Sequence, residues 1–214
     1  MISISALLLF STALTGCASL QKDSQRAARL KEPRIAPLPE SQWTEGIAES
    51  LTPFKEDGHT PNVFTTFARN PELMESYDNF GKYILSEQSL PARDREILIL
   101  RIGWLCQSEY EFGQHTLLGK KAGLTDEEIL NITRGPNASG WNTFDASLIR
   151  AVDELYYNAI ISDSTWKVLA NKYDEPQLLD LIFTVGQYNL VSWALNSMGV
   201  QLDNGVPGFP EGSK

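Results

Sequence analysis

Seven of the ten residues from Glu96 to Leu105 (EILILRIGWL) are large and apolar, and they leave no polar face on either a helix or a strand. Such a segment has to be enclosed on all sides. Its Ile and Leu content suits a buried strand. Pro91 near its start, the charged turn Arg93-Asp94-Arg95-Glu96 and continuation past Glu111 favour a helix instead. The chain is therefore expected to wrap other helices around one long central helix.

The remaining punctuation is helical. Thr60-Pro61 and Asn70-Pro71 each offer an N-cap followed by proline at the first helical position. Thr125-x-x-Glu128 reads as a capping box preceded by a stop at Gly123, and Asp174-x-x-Gln177 opens another helix. Leu148, Ala151, Val152 and Leu155 recur at helical spacing, as do Leu178, Ile182 and Val185. Turn-bounded alternating strands are missing, so the fold class is all-α, a single-domain helical bundle over residues 41–205. Trp104, Trp141, Trp166 and Trp193 are expected in the core or lining a pocket.

Residues 1–16 (MISISALLLFSTALTG) carry no charge, and they lead into Leu14-Thr15-Gly16-Cys17. That ending resembles the lipobox of bacterial lipoproteins, whose signal peptide is cut before a lipidated cysteine. The resemblance implies lipidation of Cys17 and anchoring in the cell envelope, at the periplasmic face of the outer membrane in a Gram-negative host. Residues 17–40, polar and interrupted by Pro33, Pro37 and Pro39, read as a flexible tether, and 206–214 as a C-terminal tail. With Cys17 lipidated, Cys106 is the one thiol left, and no internal disulfide can form. A net charge of -9 repels phosphate backbones, so no nucleic-acid partner is expected.

The stretch from Cys106 to His115 places Ser108, Glu109, Glu111 and a histidine directly after the most apolar segment. On a helix, Ser108, Glu111 and His115 fall within about 60° of one another. Glu111 can then orient the imidazole and stabilise its protonated form, and desolvation would bring both pKa values toward neutrality. This is the equipment of general acid–base catalysis. Glu96 lies about 22 Å from Glu111 along an unbroken helix. It joins the site only if the chain turns near Gly103 or another subunit supplies it. Glu109 points away from Glu111, toward an Arg or an interface. With two histidines and no HExxH spacing, no metal site is expected.

Leu90-Pro91-Ala92-Arg93-Asp94-Arg95-Glu96, then Cys106-x-x-Glu109-Tyr110-Glu111-x-x-x-His115, resembles the carboxymuconolactone decarboxylase family. So do Pro61-Asn62-Val63-Phe64, Asn70-Pro71-Glu72-Leu73, Ile161-Ser162-Asp163-x-Thr165-Trp166 and Gly186-Gln187-Tyr188-Asn189. The resemblance implies an alkyl hydroperoxidase D-like bundle, assembled as a homo-oligomeric trimer or hexamer, acting on a small molecule without a cofactor. The hydroperoxidase branch carries Cys-x-x-Cys four residues before its histidine. Here Ser108 and Glu111 stand in those places, so a thiol cycle is not expected. In the decarboxylase branch the implied catalytic set is His115, Glu111, Ser108 and Glu96, with Tyr188, Asn189, Cys106 and Glu109 around the substrate.

Overall fold

The computed structural model describes residues 29–55 and 58–213. Among them run nine α-helices and no strand: α1 (Glu45–Leu51), α2 (Asn62–Phe67), α3 (Pro71–Lys82), α4 (Ala92–Leu105), α5 (Glu109–Lys121), α6 (Asp126–Arg134), α7 (Thr143–Asn158), α8 (Asp163–Ala170) and α9 (Glu175–Met198). A π-helical turn, Tyr83–Glu87, continues α3. The caps sit where the local chemistry calls for them. Asn70 accepts from the Leu73 amide ahead of α3, while Thr125 with Glu128 and Asp174 with Gln177 close reciprocal capping boxes on α6 and α9.

The apolar run becomes α4, and α5, α6, α7 and α9 all pack against it. Ile97, Leu98, Ile99, Leu100 and Ile102 are completely buried. Each such side chain contributes about 1.5–3 kcal/mol by leaving water, which makes α4 the post around which the bundle assembles.

The central helix is shorter than the sequence suggests. It stops at Leu105, where the Gln107 amide bonds the Trp104 carbonyl and the Ser108 amide bonds the Gly103 carbonyl. That pair of bonds is a Schellman stop with Gln107 in the left-handed position, at φ 53. Ser108 then serves at once as the N-cap residue of α5. Glu111 and His115 therefore lie on a separate helix that folds back along α4.

Both ends of the described chain are fastened to this bundle. Of the stretch expected as a flexible tether, residues 17–28 lie outside the described residues, whereas 29–39 are docked. The Arg34 amide bonds the Met198 carbonyl at 2.8 Å, the Leu38 amide bonds the Thr65 carbonyl at 2.9 Å, and Arg69 donates to the Ala36 carbonyl. At the other end Asp203 accepts from the Asn62 amide, the Tyr110 hydroxyl and the Gln114 amide group, with His59 Nε2 at 2.9 Å. The tail then crosses α5 at Gly113, where an added Cβ would overlap the Pro207 carbonyl oxygen. Trp104 packs edge-on against Phe209 beneath it. Trp166 and Trp193 depart from expectation: they are 40% and 59% exposed.

Candidate functional site

The reversal at Gln107 brings Glu96 of α4 against His115 of α5, nineteen residues later. Glu96 Oε2 lies 2.6 Å from His115 Nδ1. On the other side of the ring, Glu111 Oε1 lies 3.0 Å from Nε2, one helical turn away. Arg95 completes the row by donating from Nε to Glu96 Oε1 at 3.1 Å. The three central side chains are 0–7% exposed. Of the two routes by which Glu96 can join the site, the turn within the chain is the one taken, close to Gly103.

An imidazole with a carboxylate at each nitrogen is held as imidazolium, because only that form donates at both positions. Burial opposes the charge on His115, but Glu96 and Glu111 outweigh it and push the pKa up to about 10. Burial likewise opposes ionisation of Glu96, and His115 with Arg95 holds its pKa below the ordinary value nonetheless. The expectation that desolvation sets the pair near neutrality is thus corrected for His115: the second carboxylate, which a single-helix reading does not supply, reverses the direction.

The start of α5 shows what this arrangement displaces. Ser108-x-x-Glu111 has the same spacing as the Thr125-x-x-Glu128 capping box, whose two reciprocal bonds are both present. At Ser108 neither side-chain bond of such a box is made: no cap hydrogen bond forms, and the buried Oγ has no partner. Glu111 faces His115 instead. A helix cap is commonly worth about 1 kcal/mol, and here that contribution is given up in favour of the contact with histidine.

Tyr188 of α9 sets the edge of its ring against His115, with centroids 4.8 Å apart. Burial and then the negative Glu111 raise its pKa well above the phenol range. Sequence reasoning missed Tyr77 of α3, which responds to the same two influences in the same order. Its only trace in the sequence is an aromatic on an apolar helix face. Arg95, read in the sequence only as part of a charged first turn, is the other addition.

Cys106 is the C-cap residue of α4, just before the reversal. Its Sγ donates to Asn189 Oδ1 at 3.1 Å, and burial pushes the thiol up to about 11. Glu109 stands apart from the triad: it is exposed and accepts from the Phe209 amide of the tail. It borders two cavities of about 290 and 540 Å³, both of which also touch Arg29. Neither is lined by Glu111 or His115. Cys17 lies outside the described residues. Among the described residues, no group of three or more His, Cys, Asp or Glu has metal-holding geometry.

Comparison with known proteins places this site in context. Residues 71–151, which contain Glu96, Ser108, Glu111 and His115, match the model of the carboxymuconolactone decarboxylase family. No curated protein matches the chain. Among solved structures, an alkylhydroperoxidase AhpD core, a peroxidase-related protein from Ralstonia eutropha JMP134, aligns with a TM-score of 0.71 at 14% identity, over 79% of this chain and 93% of its own. A peroxidase-related protein from Silicibacter sp. TM1040 gives 0.67 at 13% identity, over 86% and 96%. The debrominase Bmp8, without ligand, gives 0.65 at 13% identity, over 79% and 92%. At these identities the likeness is one of fold.

Proposed function

Because residues 71–151 make this chain a member of the carboxymuconolactone decarboxylase family, with an AhpD-like fold, we propose that it carries out thiol-independent acid–base chemistry on a small carboxylated substrate. The reaction is of decarboxylase, lyase or isomerase type. The observation that carries this reading is the engagement of both nitrogens of His115 by carboxylates, at 2.6 and 3.0 Å. A histidine so occupied has no free nitrogen for a substrate. The group that meets the substrate is therefore Glu111, which holds His115 through one oxygen and exchanges a proton through the other. His115 is a positioning residue that fixes Glu111 and balances its charge, and Glu96 with Arg95 fixes His115 in turn. The unpartnered Ser108 hydroxyl, three residues before Glu111, is the donor available to a developing oxyanion. Tyr188 and Tyr77 supply the apolar wall.

The missing cysteine pair and the raised thiol pKa of Cys106 argue against a peroxidase cycle, which needs a thiolate and a resolving partner. The range of neighbours, peroxidase-related proteins beside a debrominase, accords with one fold hosting several chemistries. We place the protein in the envelope as a lipoprotein on the strength of the Leu14-Thr15-Gly16-Cys17 ending, and read it as a homo-oligomer.

A second reading has its own support. The triad is nearly sealed, and the cavities at the start of α5 lie elsewhere, as expected of a bundle retained for binding or scaffolding. A screen of small carboxylic acids with the full chain in mild detergent separates the two. Turnover with a mass loss of 44 Da, or with an isomeric product, that disappears in Glu111→Gln supports the enzyme. Turnover that persists in Glu111→Gln removes the role assigned to Glu111, and none across the screen supports the scaffold.

A further inference from the structure

α9 is the most apolar long helix of the bundle, yet only half of its most apolar stretch is buried. On the outside Leu179, Phe183, Leu190 and Trp193 are 54–59% exposed. With Gly186 they follow one another at intervals of four, three, four and three residues. At 100° per residue, all five lie within a stripe about 80° wide. Strict 4–3 spacing is the pattern of a seam against one other helix, and among the described residues no helix covers it.

Gly186 gives a second, independent indication. A glycine inside a helix costs stability relative to alanine, and packing within a chain usually explains why it is kept. Here a Cβ would meet nothing within 4 Å. Gly81, in the neighbouring α3, is equally unconfined. At the middle of the stripe, the missing Cβ at Gly186 leaves room for a backbone arriving from outside.

The chemistry of the face selects the occupant. α9 carries Glu175 and Asp180 near its start and no Lys or Arg, so it lacks the basic rim of a helix that lies on an anionic bilayer. Two copies at a net charge of -9 each repel, and an uncharged face is where they can meet at least cost. The stripe is also symmetric about Gly186, with Leu179 seven residues before it and Trp193 seven after. An antiparallel crossing there sets Trp193 against the partner's Leu179, and brings Phe183, three residues before the glycine, beside the partner's Leu190, four residues after it. Each pair joins a larger side chain to a smaller one, and the helix dipoles oppose. A parallel pairing would set tryptophan against tryptophan and leucine against leucine, and would align the helix dipoles.

We propose that a second copy of this chain docks on α9, antiparallel, about a two-fold axis through Gly186. This rests on the proposed self-association and names its surface. The four exposed side chains offer on the order of 400 Å² per copy, against roughly 800 Å² in a stable interface. Leu73 and Tyr83, 58% and 39% exposed, extend the face. Phe80, two helical turns from Leu73 in α3, sets its ring edge-on to Phe183, and the Tyr83 hydroxyl bonds Asp180. A two-fold contact requires an even number of copies, which selects the hexamer over the trimer.

The test uses the full chain with Cys17→Ser, in mild detergent. Native mass spectrometry should show an even-numbered assembly. Under mild oxidation Gly186→Cys should cross-link more than half of the chains into dimers, because that position lies on the axis, while Leu179→Cys should not cross-link to itself. Leu190→Glu should shift the assembly to smaller species and keep its helical circular dichroism, since that side chain is 54% exposed before association. A monomer would overturn both the surface and the self-association behind it. A trimer, or an even assembly in which Gly186→Cys fails to cross-link, would overturn the surface alone. Efficient self-cross-linking at both positions would overturn the antiparallel arrangement.

Discussion

Replacing Glu96 by Gln keeps the shape of the side chain and removes one of the two charges that hold His115. The wild-type contact is 2.6 Å long, and Glu96 is completely buried. Removing one partner of a buried ion pair typically costs 3–5 kcal/mol, because the other charge is left without compensation. Here Glu111 still engages Nε2 and the amide oxygen still accepts a bond, so the loss should sit at the lower end, about 3 kcal/mol. For a domain of this size that is a fall in melting temperature of roughly 6–12 °C. The pH dependence carries a definite sign. His115 has its folded pKa raised to about 10, so its contribution is complete below its unfolded value near 6.5 and is lost as pH rises through 10. Glu96 has its folded pKa lowered, so its share is present above its unfolded value and is lost as pH falls through the folded one. Wild-type stability should therefore be greatest between the carboxylate range and about pH 6.5, and fall steadily from there until about pH 10. In Glu96→Gln the decline should start at the same pH, set by the unfolded histidine, but end closer to neutral pH and be smaller in total, because the folded pKa of His115 falls. Thermal melts from pH 5 to 10 measure the stability, and an NMR titration of the His115 ring, assigned against a His59→Gln sample, measures the proton. A wild-type His115 that titrates near 6.5, or a loss below about 0.5 kcal/mol in the variant, would refute the double clamp.

Three further outcomes follow from the packing and the sequence. Gly113→Ala forces the C-terminal tail off α5, because its Cβ overlaps the Pro207 carbonyl; denaturant melts should show a loss of about 1–3 kcal/mol. Cys106→Ser keeps a donor for Asn189 and should leave any turnover within a few-fold of wild type; loss of turnover in a folded sample would restore the thiol to the mechanism. Cys17→Ala should release the chain from the membrane fraction, since a lipid there is its one expected attachment; a variant that stays in the pellet contradicts the anchor.

The parts of the fold that could be read in advance are those decided locally or by sheer apolarity. Asn70-Pro71, Thr125-x-x-Glu128 and Asp174-x-x-Gln177 cap helices through bonds that span three residues. The run in α4 could be nothing but buried. The break after Leu105 was hidden because the left-handed position is filled by Gln107, without the glycine that usually marks such a stop. One sign was available: Ser108-x-x-Glu111 has capping-box spacing and so announces a helix start. The contact between Glu96 and His115 depends on that break, which is why the clamp, and the upward direction of the His115 pKa, emerged only in three dimensions. Tyr77 is a case of another kind, since α3 reaches the site by tertiary packing that no local pattern encodes. The exposure of Trp193 ran against the prior that tryptophan goes inside, for the stripe on α9 reads as core until the rest of the bundle is in place.

The central claim is that Glu111 meets the substrate while His115 and Glu96 hold it in place. Once the screen has supplied a substrate, the direct measurement is turnover and melting temperature on the same samples of wild type, Glu111→Gln, His115→Ala and the double variant. Glu111→Gln should lose on the order of 10²–10⁴ in kcat per folded molecule, the usual worth of one positioned acid or base, with a fall in melting temperature like that of Glu96→Gln, because it removes the other buried carboxylate on His115. His115→Ala should lose turnover and stability together, and the double variant should be little slower than Glu111→Gln alone, because groups that act as a unit do not add. A well-folded Glu111→Gln protein that turns over at the wild-type rate would contradict the account.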